Sequence, residues 1–437
     1  ALGQSSLPMK FVEYIEATTM QAFHSSEIIW GCILRQADSL LGQYGISHEE
    51  LLKISHPGSA STAMYRSAAV LTNLFRKAMH KGTIAELIRG LKRISAVHEM
   101  ERLELDGSRE SPPTFDVSIT SREVSVWEWG FNIALSACGA NALNFMGFLP
   151  RSMSDGEAIT EMTGIEETLI ESWSSDVYRP AHFVALDHAR KCVVVSIRGT
   201  MELRDLLTDL VCEQADFSSI YSDDVTDSED AVNGKVHEGF LKSASLLSEE
   251  LKETVKTTLE NNWGYSIFVC GHSLGAGVAT LLTLIWARDP FFKQRSIRGI
   301  AYGAPCSVCP ELASTPFTRK YITSIVLDDD FVSRLSVGSV TELWMKAINL
   351  GQAKSDSVED HQEIANEIVE EAENLKLYPS GNVYHLPHNS TRDPVSFSRI
   401  NISRSMFLVH MPNRYHAEIL KVKKVVQERN SQNILWK

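Results

Sequence analysis

The sequence predicts an α/β fold with a mostly parallel central sheet, preceded by an N-terminal helical region. Two textures of the chain lead there. From about residue 180 onward strand-like and helix-like runs alternate, which is the pattern of parallel strands joined by helical crossovers. From about residue 8 to 104 apolar residues instead recur at three and four, as on one face of a helix. Gly107 to Pro113 (GSRESPP) reads as a linker between them. The expected division is therefore a helical region at 1–110 and an α/β domain at 115–437.

Taken in order, FVEYIEATTMQAF and TAMYRSAAVLTNLFRKAMH have helical spacing, and Pro57-Gly58 breaks the run between them. TIAELIRGLKRISAVHEMERLEL places Ile84, Leu87, Ile88, Leu91, Ile94 and Val97 on one side, with basic residues flanking the stripe. Such a helix packs on the domain or, less simply, rests on an anionic membrane surface. SVWEWGFNIALSACGANALNFMGFL reads as a buried helix leading into the second unit. FVALDH and CVVVSIRGT are β-rich runs joined by a short polar turn. VHEGFLKSASLLSEELKETVKTTLENNW is a long amphipathic helix, and YSIFVC with LGAGVATLLTLIWARD makes a strand and its helix. IRGIAYGA, YITSIVL and VYHL are further strands. Two inserts interrupt the alternation: an acidic loop at 213–235 and a helical excursion at 337–377, both expected on the surface.

The chain has 437 residues, 42 Lys and Arg against 55 Asp and Glu, and a net charge of −13, so no broad nucleic-acid footprint is expected. Seven scattered cysteines, several inside apolar runs, suit reduced buried thiols of an intracellular protein. Cys306-Ser-Val-Cys309 has no second pair at zinc-ligand spacing, and no metal is expected. No run of about 18 uncharged apolar residues is present, so no membrane span is expected either.

Gly271-His272-Ser273-Leu274-Gly275 fits G-x-S-x-G, with a β-run ending at Cys270 and a helix beginning near Leu274. Alone the pattern is weak. Between a buried strand and a buried helix it describes a sharp turn that projects a serine hydroxyl above a sheet. Gly271 and Gly275, lacking β-carbons, let strand and helix approach. The helix N-terminus favours a developing anion beside the hydroxyl.

A nucleophilic serine needs a base, and the base an orienting carboxylate. YITSIVLDDDFVSRL offers Asp328, Asp329 and Asp330 at a strand end. Asp330 is preferred because the apolar pair Phe331-Val332 would hold that loop against the sheet. The histidines that follow are His361, His385, His388, His410 and His416. His361 is expected to be solvated in the acidic insert. His410 is preferred over the others as the residue in a loop after the last apolar run. For an oxyanion hole, the backbone N–H of Leu274 and the N–H or hydroxyl of Thr200, at the end of SIRGT, are the candidates. His237 and His272 lack companions for a metal cluster.

These residues together resemble the class 3 lipases, an α/β-hydrolase branch, and most nearly the diacylglycerol lipases. The resemblance rests on VVVSIRGTMELRDLLTDL, VHEGF, FVCGHSLGAGVATLL, VLDDDFVSRL, LYPSGNVYHL and MFLVHMP, and covers roughly residues 125 to 425. It implies a triad of Ser273, Asp330 and His410, with Thr200 and Leu274 as oxyanion hole and Met201 to Cys212 as lid. It implies a regulatory insert at Val337 to Leu377. The expected activity is that of a serine esterase releasing a fatty acid from a diacylglycerol or other glycerolipid through an acyl-enzyme. The substrate would be met at a membrane or droplet surface by a cytoplasmic, peripherally attached protein. No cofactor is required, and calcium effects through the acidic inserts are compatible but not demanded. Rivals are a phospholipase of the first acyl position, a lipid acyltransferase, and a catalytically silent lipase-like regulatory or membrane-binding protein.

Overall fold

The computed structural model of the chain describes residues 80–107, 119–150, 153–176, 178–199, 213–217, 233–386, 390–403 and 405–435. Most of the expected N-terminal helical region, the linker, Thr200, the lid segment, most of the acidic loop and His388 lie outside them.

Ten strands are described: β1 (Glu167–Ser172), β2 (His182–Asp187), β3 (Cys192–Ile197), β4 (Gln214–Asp216), β5 (Lys235–His237), β6 (Ser266–His272), β7 (Ile297–Tyr302), β8 (Ile322–Leu327), β9 (Asn382–Leu386) and β10 (Ser390–Arg392). Eight of them form one sheet in the order β1-β2-β3-β6-β7-β8-β9-β10. The steps from β3 to β9 are parallel, and the two at the β1 edge and the one at the β10 edge are antiparallel. A parallel sheet is covered on both faces, so its strands are apolar throughout rather than alternating. β3 shows this: Val193, Val195 and Ile197 belong to one core, while Cys192 and Val194 belong to the other. The small pair β4–β5 ties together the two ends of the acidic insert.

The principal helices are α1 (Ile84–Gly107), α2 (Ser121–Ser136), α3 (Glu238–Asn261), α4 (Leu274–Arg288), α5 (Val337–Gln352), α6 (Val358–Asn366) and α7 (Pro412–Leu435). α3 and α4 bury Leu247, Leu251, Leu281 and Leu282 on one face of the sheet, and α2 and α7 bury Phe131, Ile133, Ile419 and Val422 on the other. α2 starts at a capping box, in which Thr120 and Glu123 satisfy each other's backbone N–H groups.

The insert at 337–377 is helical, but it is not a loose excursion. α5 buries Trp344, Ala347, Ile348 and Leu350, and its principal partner is α1. A Cβ on Gly90 would overlap the Ala347 backbone, and one on Gly351 would overlap the Glu86 backbone, so the two helices cross with their main chains nearly touching. Leu87, Ile94 and Val97 are buried in this seam. Arg89 and Arg93 donate to the carbonyls of Leu350, Gly351 and Ala353 at the C-terminal end of α5, where unpaired acceptors and the negative end of the dipole collect. Leu87, Ile94 and Val97 of α1 therefore face the insert rather than a lipid surface.

His361 departs from the expectation of a solvated histidine. It is 3% exposed, and its Nε2 donates to the Ser355 carbonyl at 2.9 Å. α6 packs against α1 and α5, and His361 is on its buried side.

Candidate active site

β6 and α4 meet at Ser273, whose backbone sits at φ 61°, ψ −130°. An L-residue adopts that region only under constraint. The constraint is visible in the glycines. A Cβ on Gly271 would overlap the Gly275 backbone, one on Gly275 the Ile197 carbonyl, and one on Gly199 the His272 carbonyl. β3, β6 and α4 thus converge to backbone contact around the serine, and the Ser273 N–H donates to the Tyr302 carbonyl of β7 at 2.9 Å.

The Ser273 hydroxyl donates to His410 Nε2 at 2.8 Å. His410 Nδ1 donates to the two Asp330 oxygens at 2.8 and 3.0 Å. The pattern fits a neutral imidazole with its proton on Nδ1. Asp330 is fully buried and is held from two further directions: the Tyr415 hydroxyl donates to Oδ2 at 2.6 Å and the Val332 N–H to Oδ1 at 2.9 Å. Burial would raise the Asp330 carboxyl, but its interactions with His410, with Tyr415 and with the Val332 N–H hold it below its ordinary value. It stays a carboxylate.

Of its neighbours, Asp329 accepts from Asn401 Nδ2 at 2.9 Å, and the Asp328 carbonyl accepts from His385 Nε2 at 2.8 Å. His410 Nδ1 bonds to Asp330 instead. Among the other histidines, His385 is occupied on β9 and His416 lies between Phe131 and Phe148. His388 is outside the described residues, as is Thr200. Leu274 begins α4, so its N–H has no acceptor within the helix and lies directly beside the serine.

His272 proves to be part of the site's support. Its ring stacks on His410 with centroids 4.8 Å apart, and its Nε2 donates to the His410 carbonyl at 3.1 Å. Burial, then the neighbouring His410, pushes its pKa down to about 3, so it remains neutral. Gly303, at φ +55°, leaves room for both rings, since a Cβ there would lie 2.9 Å from His410 Cε1. His237 caps α3 by accepting from the Phe240 N–H at 3.2 Å. Cys306 and Cys309 are buried free thiols. Among the described residues no cluster of three metal-ligating side chains occurs. No described helix is long and apolar enough to cross a membrane.

Tyr415 and Gly303 carried no signal in the sequence. Tyr415 stands five residues past His410 in an unremarkable helical segment, and only the fold brings it to Asp330.

Residues 194–340 match the family model described as Lipase (class 3). Diacylglycerol lipase-alpha of Rattus norvegicus is 24% identical over 333 residues, covering 63% of this chain and 30% of that protein. Diacylglycerol lipase-beta of Mus musculus is 28% identical over 197 residues, covering 44% of this chain and 28% of that protein. A lipase of Rhizomucor miehei is 28% identical over 138 residues, or 31% of this chain and 35% of that protein. The chain thus corresponds to under a third of the length of the diacylglycerol lipases it matches. Family match, strand order and the serine elbow agree: residues 194–340 match the class 3 lipases, an α/β-hydrolase branch, and the chain resembles the diacylglycerol lipases.

Proposed function

We propose that the protein hydrolyses acyl esters of glycerolipids, with diacylglycerol as the leading substrate, and that Ser273, His410 and Asp330 form its catalytic triad. The observation that carries this is the unbroken relay from Ser273 Oγ through His410 to Asp330, all within 2.8 to 3.0 Å, on a strained elbow. The likeness to diacylglycerol lipases supports the choice of ester.

In the proposed reaction His410 Nε2 takes the hydroxyl proton as Ser273 Oγ attacks the acyl carbonyl. Asp330 stabilises the imidazolium that forms. The Leu274 N–H, with Thr200 as second donor, receives the oxyanion. The intermediate collapses, the glycerol oxygen leaves with the proton from His410, and an acyl-serine remains. His410 then draws a proton from water, whose oxygen attacks the acyl carbon, and the fatty acid departs as Ser273 is reprotonated. No metal or organic cofactor enters these steps. Ser273 is only 1% exposed, and on this reading its substrate is presented at a membrane or droplet surface.

The test is a lipidomic comparison of wild type and Ser273→Ala on vesicles mixing diacylglycerol, triacylglycerol and phospholipid. Wild type is expected to release fatty acid from diacylglycerol, and the variant to release none. If wild type leaves every ester intact, the proposal fails. Persistent fluorophosphonate labelling of Ser273→Ala would sink the choice of nucleophile.

A further inference from the structure

The stretch from Arg399 to Phe407 leads directly to His410, and none of its described residues lies in a helix or strand. A segment of that kind holds its place only through individual contacts, because its backbone freedom is otherwise restored. Two of its bonds face the acid loop: Asn401 Nδ2 donates to Asp329, and the Phe331 N–H donates to the Met406 carbonyl at 3.3 Å. The Phe331 and Phe407 rings also meet edge-on with centroids 4.6 Å apart. Both chain neighbours of Asp330 are therefore fastened to the stretch that carries His410.

Two more bonds face the opposite way, onto α1. The Ile402 N–H donates to His98 Nδ1 at 2.9 Å, and Arg399 pairs with Glu101. Arg399 Nη1 also donates to Asn366 of α6 at 3.0 Å. Burial, with Arg399 nearby, holds the His98 imidazole well below its ordinary pKa, so Nδ1 keeps its lone pair for the Ile402 N–H. Neither His98 nor Glu101 touches Ser273, His410 or Asp330 in any described contact, and both lie before residue 194, where the family match begins.

We propose that His98 and Glu101 of α1 are positioning residues for the Asp330–His410 pair, acting through the Arg399–Phe407 stretch. This rests on the triad proposed above. α1 also grips α5, whose first residue stands seven positions after Asp330. One helix therefore steadies the acid loop from its far end and the base from its near end. In-line proton transfer is sensitive to displacements on the order of 1 Å, which cost up to about 100-fold in rate.

The experiment measures kcat and KM on a water-soluble p-nitrophenyl butyrate, with thermal midpoints, for His98→Phe, His98→Asn, Glu101→Gln, and the exchanged pair Glu101→Arg with Arg399→Glu. Phe fills the ring's volume but removes the acceptor, while Asn offers an oxygen near the place of Nδ1. The expected result is a fall of about ten-fold in kcat for His98→Phe and Glu101→Gln at unchanged KM. His98→Asn and the exchanged pair should recover most of it, and midpoints should stay within a few degrees of wild type. Unchanged kcat in His98→Phe and Glu101→Gln would overturn the inference. So would losses that track the unfolded fraction and are not recovered by His98→Asn. Ser273→Ala runs alongside: if it stays active the triad itself falls and this inference with it, whereas an inactive Ser273→Ala beside fully active α1 variants overturns the inference alone.

Discussion

Ser273 sits in a backbone conformation that suits glycine, and such strain costs on the order of 1–3 kcal/mol. Ser273→Gly should therefore be inactive yet at least as stable as wild type, by about 1 kcal/mol, in denaturant titration. Asp330→Asn should keep the fold and lower kcat on the order of 10⁴-fold, because an amide no longer holds His410 in the required tautomer. Tyr415→Phe removes one donor from Asp330 and strands the buried Leu327 N–H, which now donates to that hydroxyl at 2.9 Å. The expected cost is about 1–3 kcal/mol. Because Asp330 titrates below its unfolded value, its contribution is present above that value and is lost as pH falls through the folded one. Losing the Tyr415 donor raises the folded value, so acid unfolding of Tyr415→Phe should begin at a higher pH than in wild type. Ser273 and Asp330 were legible because each follows a strand, and His410 because it follows the last apolar run, in the order the chemistry needs, and an apolar pair marks which aspartate turns inward. Tyr415, Gly303 and His98 were not, because their roles arise from contacts across the fold that no local pattern encodes.

At the level of elements, the central strands announced themselves as apolar runs because a parallel sheet buries both faces. The outer strands did not: β1 reads ETLIES, is half-exposed, and has no alternation long enough to count. β10 has only three residues. The helix α1 was legible as a helix but not its partner, since an apolar stripe fits a neighbouring helix or a lipid surface equally well. The backbone-to-backbone crossing at Gly90 decides it. Gly90→Leu should push α1 away from α5 and lower the thermal midpoint, with a loss of about 1–3 kcal/mol. Gly271→Ala, which drives a methyl into the Gly275 backbone, should lose a similar amount and also displace the serine, so activity should fall further than stability.

For the whole molecule, buried neutral imidazoles set an acid limit. His272 is held at about 3 by burial and by His410, well under the ordinary histidine value of about 6.5. Its folded pKa is depressed, so between these values the unfolded chain binds a proton that the folded one excludes. Stability is then complete above about pH 6.5 and declines as pH falls toward 3. Thermal midpoints measured from pH 7 to 4 should fall accordingly, and His272→Asn should flatten that decline. The seam between α1 and α5 has a consequence for where the molecule can be cut. The family match begins at residue 194, and a fragment trimmed to residue 119 would retain every strand of the sheet. It would also bare Ala347 and Ile348, uncap the end of α5 and free the stretch leading to His410. A fragment starting at residue 80 should be recovered in the soluble fraction and stay monodisperse on gel filtration. One starting at 119 should aggregate, although it keeps Ser273, Asp330 and His410.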